Sequence, residues 1–422
     1  MKTIIFFLVI SFIGSINGQI DKTDKISNDH IRFYQDFLNF AGGNKTRLDV
    51  FIRVPFREIQ FVKSGTGYEG GYSVTVSIYD EDKSTLVQEK LWNESITLKS
   101  FEDLSSGQNY NLSYRSFELP PEKYFIRTAV TDKDSRQEYT AESFFVVKDF
   151  SKEPSVSDIM LIARKTVVDG NNKIIPNVTR DIVSSEKGIN IFYEIYSDSA
   201  ETRELEYVIS KDKNDDVVYS ETKEQELKAG TTQIFYTFFD TTLSLGTYHL
   251  SVYMKKADGD SVLGATKKIF SRIVGLPNNI VDIDKAITEL VYIASPEEIG
   301  KMEDGKNEKE KTKRFLEFWK TKDPSPGNEQ NEVFEEYYRR VDYSNKNFSQ
   351  YMDGWRSDRG MVYIILGAPN NIDRHPFEYD SKPYEVWQYY ELNRSFVFVD
   401  ETGFGDYRLT TPLYGDLFRY RY

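Results

Sequence analysis

The sequence predicts a multidomain chain with two all-β sandwich (immunoglobulin-like) modules followed by an α+β C-terminal domain. Three observations predict it. Between residues 47 and 270 many short segments alternate apolar and polar residues with period two, the pattern of half-buried strands. After Gly275 the apolar residues fall at helical spacing instead. Past Tyr351 short strand-like segments return, so helices are expected over a small antiparallel sheet.

The first module is placed at residues 30–150. Leu48, Val50, Ile52 and Val54 alternate with charged or bulky neighbours, and Val74, Val76 and Ile78 repeat the pattern. Asp80 to Lys83 reads as a turn, and further strands are expected at 110–117, 124–132 and 138–148. Residues 148–154, polar and closed by Pro154, form the expected linker. The second module, 155–275, has the same texture. Ile189, Ile191, Tyr193 and Ile195 alternate, and Ala257-Asp258-Gly259-Asp260 is the turn of a predicted hairpin.

In the third region, 280–422, Ile283, Ile287, Leu290, Val291 and Ala294 make one helical stripe. Ser295-Pro296-Glu297-Glu298 has the form of a capping box, which starts a second helix. Phe315, Phe318 and Trp319 mark a third helix, broken at Asp323-Pro324-Ser325-Pro326-Gly327; Val333, Phe334, Tyr337, Tyr338 and Val341 mark a fourth. The apolar, β-branched run 360–366 is expected to be a strand, as are 384–390, 395–399 and 407–410.

The 422 residues carry a net charge of −13, and 15% of them are aromatic. So large an aromatic share supplies core volume enough for a folded chain. The acidic balance argues against a nucleic-acid partner, which would call for clustered Lys and Arg. Residues 1–18 read as a signal peptide, with Lys2 ahead of the apolar run 4–13 and small or polar residues at 14–18. Export to the periplasm, outer surface or extracellular space is therefore expected, with Gln19 as the new terminus. The run falls short of the ~20 residues that span a bilayer, and no other stretch qualifies, so no transmembrane span is expected in the mature chain. With no cysteine, there is no disulfide, no thiolate site and no lipid anchor through Cys.

Catalytic signatures are sparse. Gly65 to Gly70 matches GxGxxG, but an alternating strand follows where a dinucleotide fold needs a helix. His30, His249 and His375 are too scattered to suggest a metal site. No cofactor, metal or catalytic residue is assigned.

The most distinctive stretch is Gly354-Trp355-Arg356-Ser357-Asp358-Arg359-Gly360, followed by Gly367-Ala368-Pro369, Tyr384-Glu385-Val386-Trp387, Phe396 to Asp400 and Thr402 to Leu409. Together these motifs, in this order over roughly 280–411, resemble the GWxTD domain, an uncharacterised family of exported bacterial proteins. Ser357 stands where the family has Thr; it keeps the hydroxyl for a cap or turn hydrogen bond and loses a methyl. The resemblance names a domain and implies no mechanism.

Two readings of this region stand open. In the structural one, Trp355 and Trp387 anchor cores, Asp358 accepts hydrogen bonds from a turn, and Asp400, Asp406 and Arg408 form a polar brace. In the functional one, Trp355, Asp358, Arg359, Trp387, Asp400, Phe404, Asp406 and Arg408 line a cleft for a sugar or peptide, or paired carboxylates, Glu385 included, perform acid–base hydrolysis. The expected function is a non-catalytic interaction or structural protein of the cell envelope, with a protein or envelope-polymer partner. The alternative is a carboxylate-dependent hydrolase, or a carbohydrate- or peptide-binding protein, acting on envelope polymers.

Overall fold

In a computed structural model, residues 33–410 are described apart from 44, 66, 101–108, 153, 169–170, 184–187, 213, 240–242, 256–261, 274–275, 278–279, 326–330 and 377–381. The expected signal peptide, His30, the 257–260 turn and the Pro326-Gly327 break lie outside the described residues. The fold is mostly β-sheet with few helices. Two compact units divide it: residues 1–242 with 247–270, and residues 243–246 with 271–422.

The first unit begins with a sheet of Tyr34–Gly42, Lys45–Pro55 and Tyr110–Leu119. A second sheet runs Phe61–Ser64, Gly67–Tyr79, Lys123–Asp132, Glu138–Val146, with Leu86–Leu98 on the other side of Gly67–Tyr79. The period-two residues do what their spacing requires. Leu48, Val50, Ile52 and Val54 meet Tyr72, Val74, Val76 and Ile78 in one buried core. At the GxGxxG stretch the strands Phe61–Ser64 and Gly67–Tyr79 pair antiparallel, Ser64 opposite Gly67, so a strand and not a helix follows its first glycines.

Two more sheets follow in this unit. One runs Asn171–Pro176, Met160–Val168, Ile189–Ser197, Gly230–Phe238, and the other Asp181–Val183, Val262–Arg272, Gly246–Lys255, Glu201–Lys211, Val217–Leu227. His249 is a strand residue whose Nε2 lies 2.5 Å from Asp212 Oδ1.

The two β-rich blocks are fastened to each other. The odd face of Lys45–Pro55 turns Phe51 toward Met160, Val178 and Phe192, and Leu38 and Phe40 join the same apolar seam. Polar contacts flank it: Asn39 N and Nδ2 donate to Asp158 Oδ2 at 2.8 and 2.9 Å, Ala41 N donates to the Tyr196 hydroxyl at 2.8 Å, and Lys267 Nζ meets Asp36 Oδ1 at 2.5 Å. The stretch read as a linker shares in it, with Lys148 paired to Asp158 at 2.7 Å and Phe150 edge-on to Tyr196. Lys267 and Asp36 are both buried, and a buried charged pair is expensive to break from one side.

Among its described residues the second unit has five α-helices: α1 (Ile283–Glu289), α2 (Pro296–Glu303), α3 (Glu308–Thr321), α4 (Glu332–Phe348) and α5 (Asp358–Leu366). An antiparallel sheet runs Asn371–His375, Tyr384–Tyr389, Arg394–Asp400, Tyr407–Leu409. The capping box is formed: Ser295 and Glu298 satisfy each other's backbone N–H groups at the start of α2. The stripe residues Ile283, Ile287, Leu290 and Ala294 pack with Phe315, Phe318, Trp319, Phe334, Tyr337 and Tyr338 in a helical core.

One expectation is corrected. Residues 360–366 form helix, not strand. Their apolar run is continuous because α5 is buried on both sides, with Ile364 in the helical core and Val362 and Tyr363 in the sheet's core. A helix covered all round loses the 3.6-residue signal, and its β-branched residues then imitate a strand. The deciding cue is local: Ser357 caps the helix by accepting from Gly360 N, with Asp358 in the first turn.

Candidate functional site

The Gly354–Gly360 signature is a tight joint between α4, α5 and the edge of the C-terminal sheet. Gly354 packs where no side chain fits: a Cβ there would lie 1.9 Å from Ser344 O, and one on Gly360 would lie 2.0 Å from Gly354 O. Two backbones therefore meet through glycine. Trp355 is buried in the helical core and edge-on to Tyr292, whose hydroxyl donates to Trp355 O at 2.9 Å. Trp355 N donates to Asn345 Oδ1 at 3.1 Å. Ser357 Oγ donates to Gly354 O at 2.7 Å and accepts from Gly360 N at 3.0 Å. Asp358 Oδ2 accepts from Leu409 N at 2.8 Å, tying the start of α5 to the last strand.

Beneath the joint lies Glu289, at the end of α1. Burial pushes its carboxyl up to about 7, against the pull of Lys285 and a hydrogen bond from Asn345. Asn345 thus bridges a buried acid to the backbone of Trp355.

The remaining predicted residues have separate jobs. Trp387 is buried in the sheet's core, and its Nε1 donates to Glu385 Oε2 at 3.0 Å. Asp400 is also buried and organises the following turn, accepting from Thr402 N and Gly403 N through Oδ1 and from Gly405 N through Oδ2. Gly403 and Gly405 hold φ of +74° and +90° in that turn, as positions open to glycine. Asp406 pairs with Arg408 at 3.1 Å. Phe404 is 75% exposed.

The eight predicted residues therefore do not share one cleft. Asp358, Arg359, Asp406 and Arg408 do line a single cleft, whereas Trp355, Trp387, Asp400 and Phe404 are not among its lining residues. The other walls are Phe348, Gln350, Tyr351, Met352, Ser357, Gly405 and Tyr407. Sequence reasoning missed the rim. Tyr351 is 79% exposed and Met352 is half-exposed; an apolar pair inside a polar turn, on no periodic face, was the available signal.

Arg359 is the buried charge of this cleft. Its guanidinium carbon lies over the rings of Tyr407 at 4.1 Å and Phe348 at 5.0 Å. Nη1 is 3.6 Å from Glu385 Oε1, which also lies 3.3 Å from Arg374 Nε. Burial, then Glu385, raise the Tyr407 hydroxyl above its ordinary value, with Arg359 opposing.

A family model described as the GWxTD domain matches residues 251–409. No curated protein matches the chain. Among solved structures, latent dimeric PorU from Porphyromonas gingivalis is similar at 12% identity and a TM-score of 0.23, covering 57% of this chain and 20% of PorU. The chain thus spans a fifth of PorU's length. A DUF4785 family protein from Legionella pneumophila is similar at 12% identity and a TM-score of 0.19, covering 58% of this chain and 57% of that one. Fibronectin(III)-like modules of CbhA from Clostridium thermocellum are similar at 14% identity and a TM-score of 0.16, covering 55% of this chain and 90% of theirs.

Proposed function

We propose that this chain, a GWxTD domain-containing protein, is an exported, non-catalytic interaction protein of the cell envelope. In this reading two β-sandwich modules carry an α+β domain whose cleft contacts the partner, a protein or an envelope polymer. The leader-like segment 1–18 in the sequence supports export. Among the described residues no helix is long and apolar enough to cross a membrane.

One observation carries the reading. Every carboxylate put forward for acid–base work is already tied down: Asp358 to Leu409 N, Asp400 to its turn, Asp406 to Arg408, and Glu385 to Trp387 and Arg374. What faces outward is an aromatic and thioether rim, a surface suited to contact. The signature supplies the joint that holds this rim in place.

The test is capture from the native envelope fraction with the full chain, set beside a Tyr351→Ala variant. Retention by the wild type and loss by the variant, at equal melting temperature, is the expected result. Equal retention by both would remove the cleft from the contact surface. N-terminal sequencing of the fractionated protein tests export; a cytoplasmic protein that begins at Met1 would overturn that part.

A further inference from the structure

We infer that the cleft beside the signature binds a peptide carboxylate, with Arg359 as the group that recognises it; this rests on the reading of the cleft as the contact surface. Arg359 is only 9% exposed, yet its Nε has no hydrogen-bond partner among the described residues. Buried guanidinium groups carry five donors and are normally satisfied. Here Nε has no partner, and the nearest carboxylate oxygen stands at 3.6 Å, beyond a hydrogen bond. Glu385 has little to spare, because Oε2 takes Trp387 Nε1 and Oε1 is approached by Arg374. One carboxylate thus serves two guanidinium groups, which leaves Arg359, a lining residue of the cleft, short of acceptors.

The position is prepared for a planar acceptor. The Tyr407 and Phe348 rings fix the guanidinium without using its N–H groups, and an arginine so held matches a carboxylate with little further loss of freedom. The start of α5, at Ser357 and Asp358, lines the same cleft and adds a favourable dipole. The other lining charges select the anion. Asp358 and Asp406 repel a dianion such as phosphate, while Arg408 is already paired with Asp406. A singly charged carboxylate bordered by N–H donors satisfies both signs. Met352, Tyr351 and Phe348 add apolar surface for an adjoining side chain, which favours a peptide over a sugar acid.

The experiment is calorimetric titration of the full chain with N-acetyl-alanyl-phenylalanine, its C-terminal amide, and glucuronate. The free acid is expected to bind, with the amide and glucuronate each roughly tenfold weaker or more, the scale of one charge-assisted hydrogen bond. Arg359→Gln is expected to weaken the acid to the level of the amide. Tyr351→Ala, at an exposed position, is expected to weaken it at unchanged melting temperature, and it decides the matter where Arg359→Gln does not fold. Equal binding of acid and amide, no binding of the acid, or tighter binding of glucuronate would overturn the inference. Silent probes together with envelope capture lost in Tyr351→Ala would overturn the carboxylate alone. Silent probes with capture unaffected would overturn the contact reading as well.

Discussion

Glycine-to-alanine substitution separates this account from helix propensity, because the two disagree in sign. Gly360 lies inside α5 and Gly300 inside α2. Propensity alone has alanine stabilise either helix by about 0.5–1 kcal/mol. At Gly300 nothing lies within 4 Å of the new Cβ, so the full gain is expected there. At Gly360 the Cβ would sit 2.0 Å from Gly354 O and 3.1 Å from Trp355 Cα. Both are backbone atoms, and Gly354 is itself pressed against Ser344 O. No flexible side chain can yield, so α5 must shift from the joint. Overpacking of this kind costs about 1–3 kcal/mol and occasionally more, which outweighs the propensity gain. Urea unfolding of the full chain, followed by tryptophan fluorescence, reads both variants. Gly300→Ala should raise the midpoint and Gly360→Ala should lower it. A Gly360→Ala protein at least as stable as the wild type would refute the close approach as the reason for that glycine.

Three further predictions follow from the same joint. Trp355→Ala, which empties part of the helical core, should cost about 3–5 kcal/mol in the same unfolding experiment; wild-type stability would return Trp355 to the binding surface. Ser357→Ala removes a helix cap and a bond to Gly354 O and should cost about 1–2 kcal/mol, whereas Ser357→Thr should be nearly neutral; equal effects would deny the hydroxyl its capping role. Glu289 carries a carboxyl raised from 4.5 to about 7, so the folded state holds a proton that the unfolded state has released in that window. Stability should therefore fall as pH rises from about 5 to 7, by of order 2–3 kcal/mol in all, and Glu289→Gln should abolish the fall; parallel pH curves for the two proteins would refute it.

How much was legible in the sequence depended on whether each element buries one face or two. Lys45–Pro55 and Gly67–Tyr79 present one alternating face to a core, and their residues 48, 50, 52, 54, 74, 76 and 78 were identified from period alone. The Ser295 capping box was legible because its chemistry is local. Helix α5 was not, since burial against two cores erases its period. The strand Asn371–His375 was missed because its exposed Asn371, Asp373 and Arg374 leave no apolar face to read. Of the eight residues the sequence grouped at the candidate site, Asp358, Arg359, Asp406 and Arg408 line one cleft and the other four do not. For Trp355 and Trp387 the sequence left core anchor and cleft wall open, and only tertiary structure shows them buried in two different cores. The approach of Asp358 to Leu409, fifty-one positions away, had no signal in spacing.

Native-state hydrogen exchange at the Leu409 amide tests the central claim, that the signature clamps α5 to the edge of the sheet. That amide donates to Asp358 Oδ2 at 2.8 Å. It should exchange slowly in the wild type and in Asp358→Asn, which keeps an acceptor. In Asp358→Ala it should exchange roughly tenfold faster or more, the equivalent of one lost charge-assisted bond. An unchanged rate at Leu409 in Asp358→Ala would mean that the signature aspartate does not hold the strand, and the clamp would fail with it.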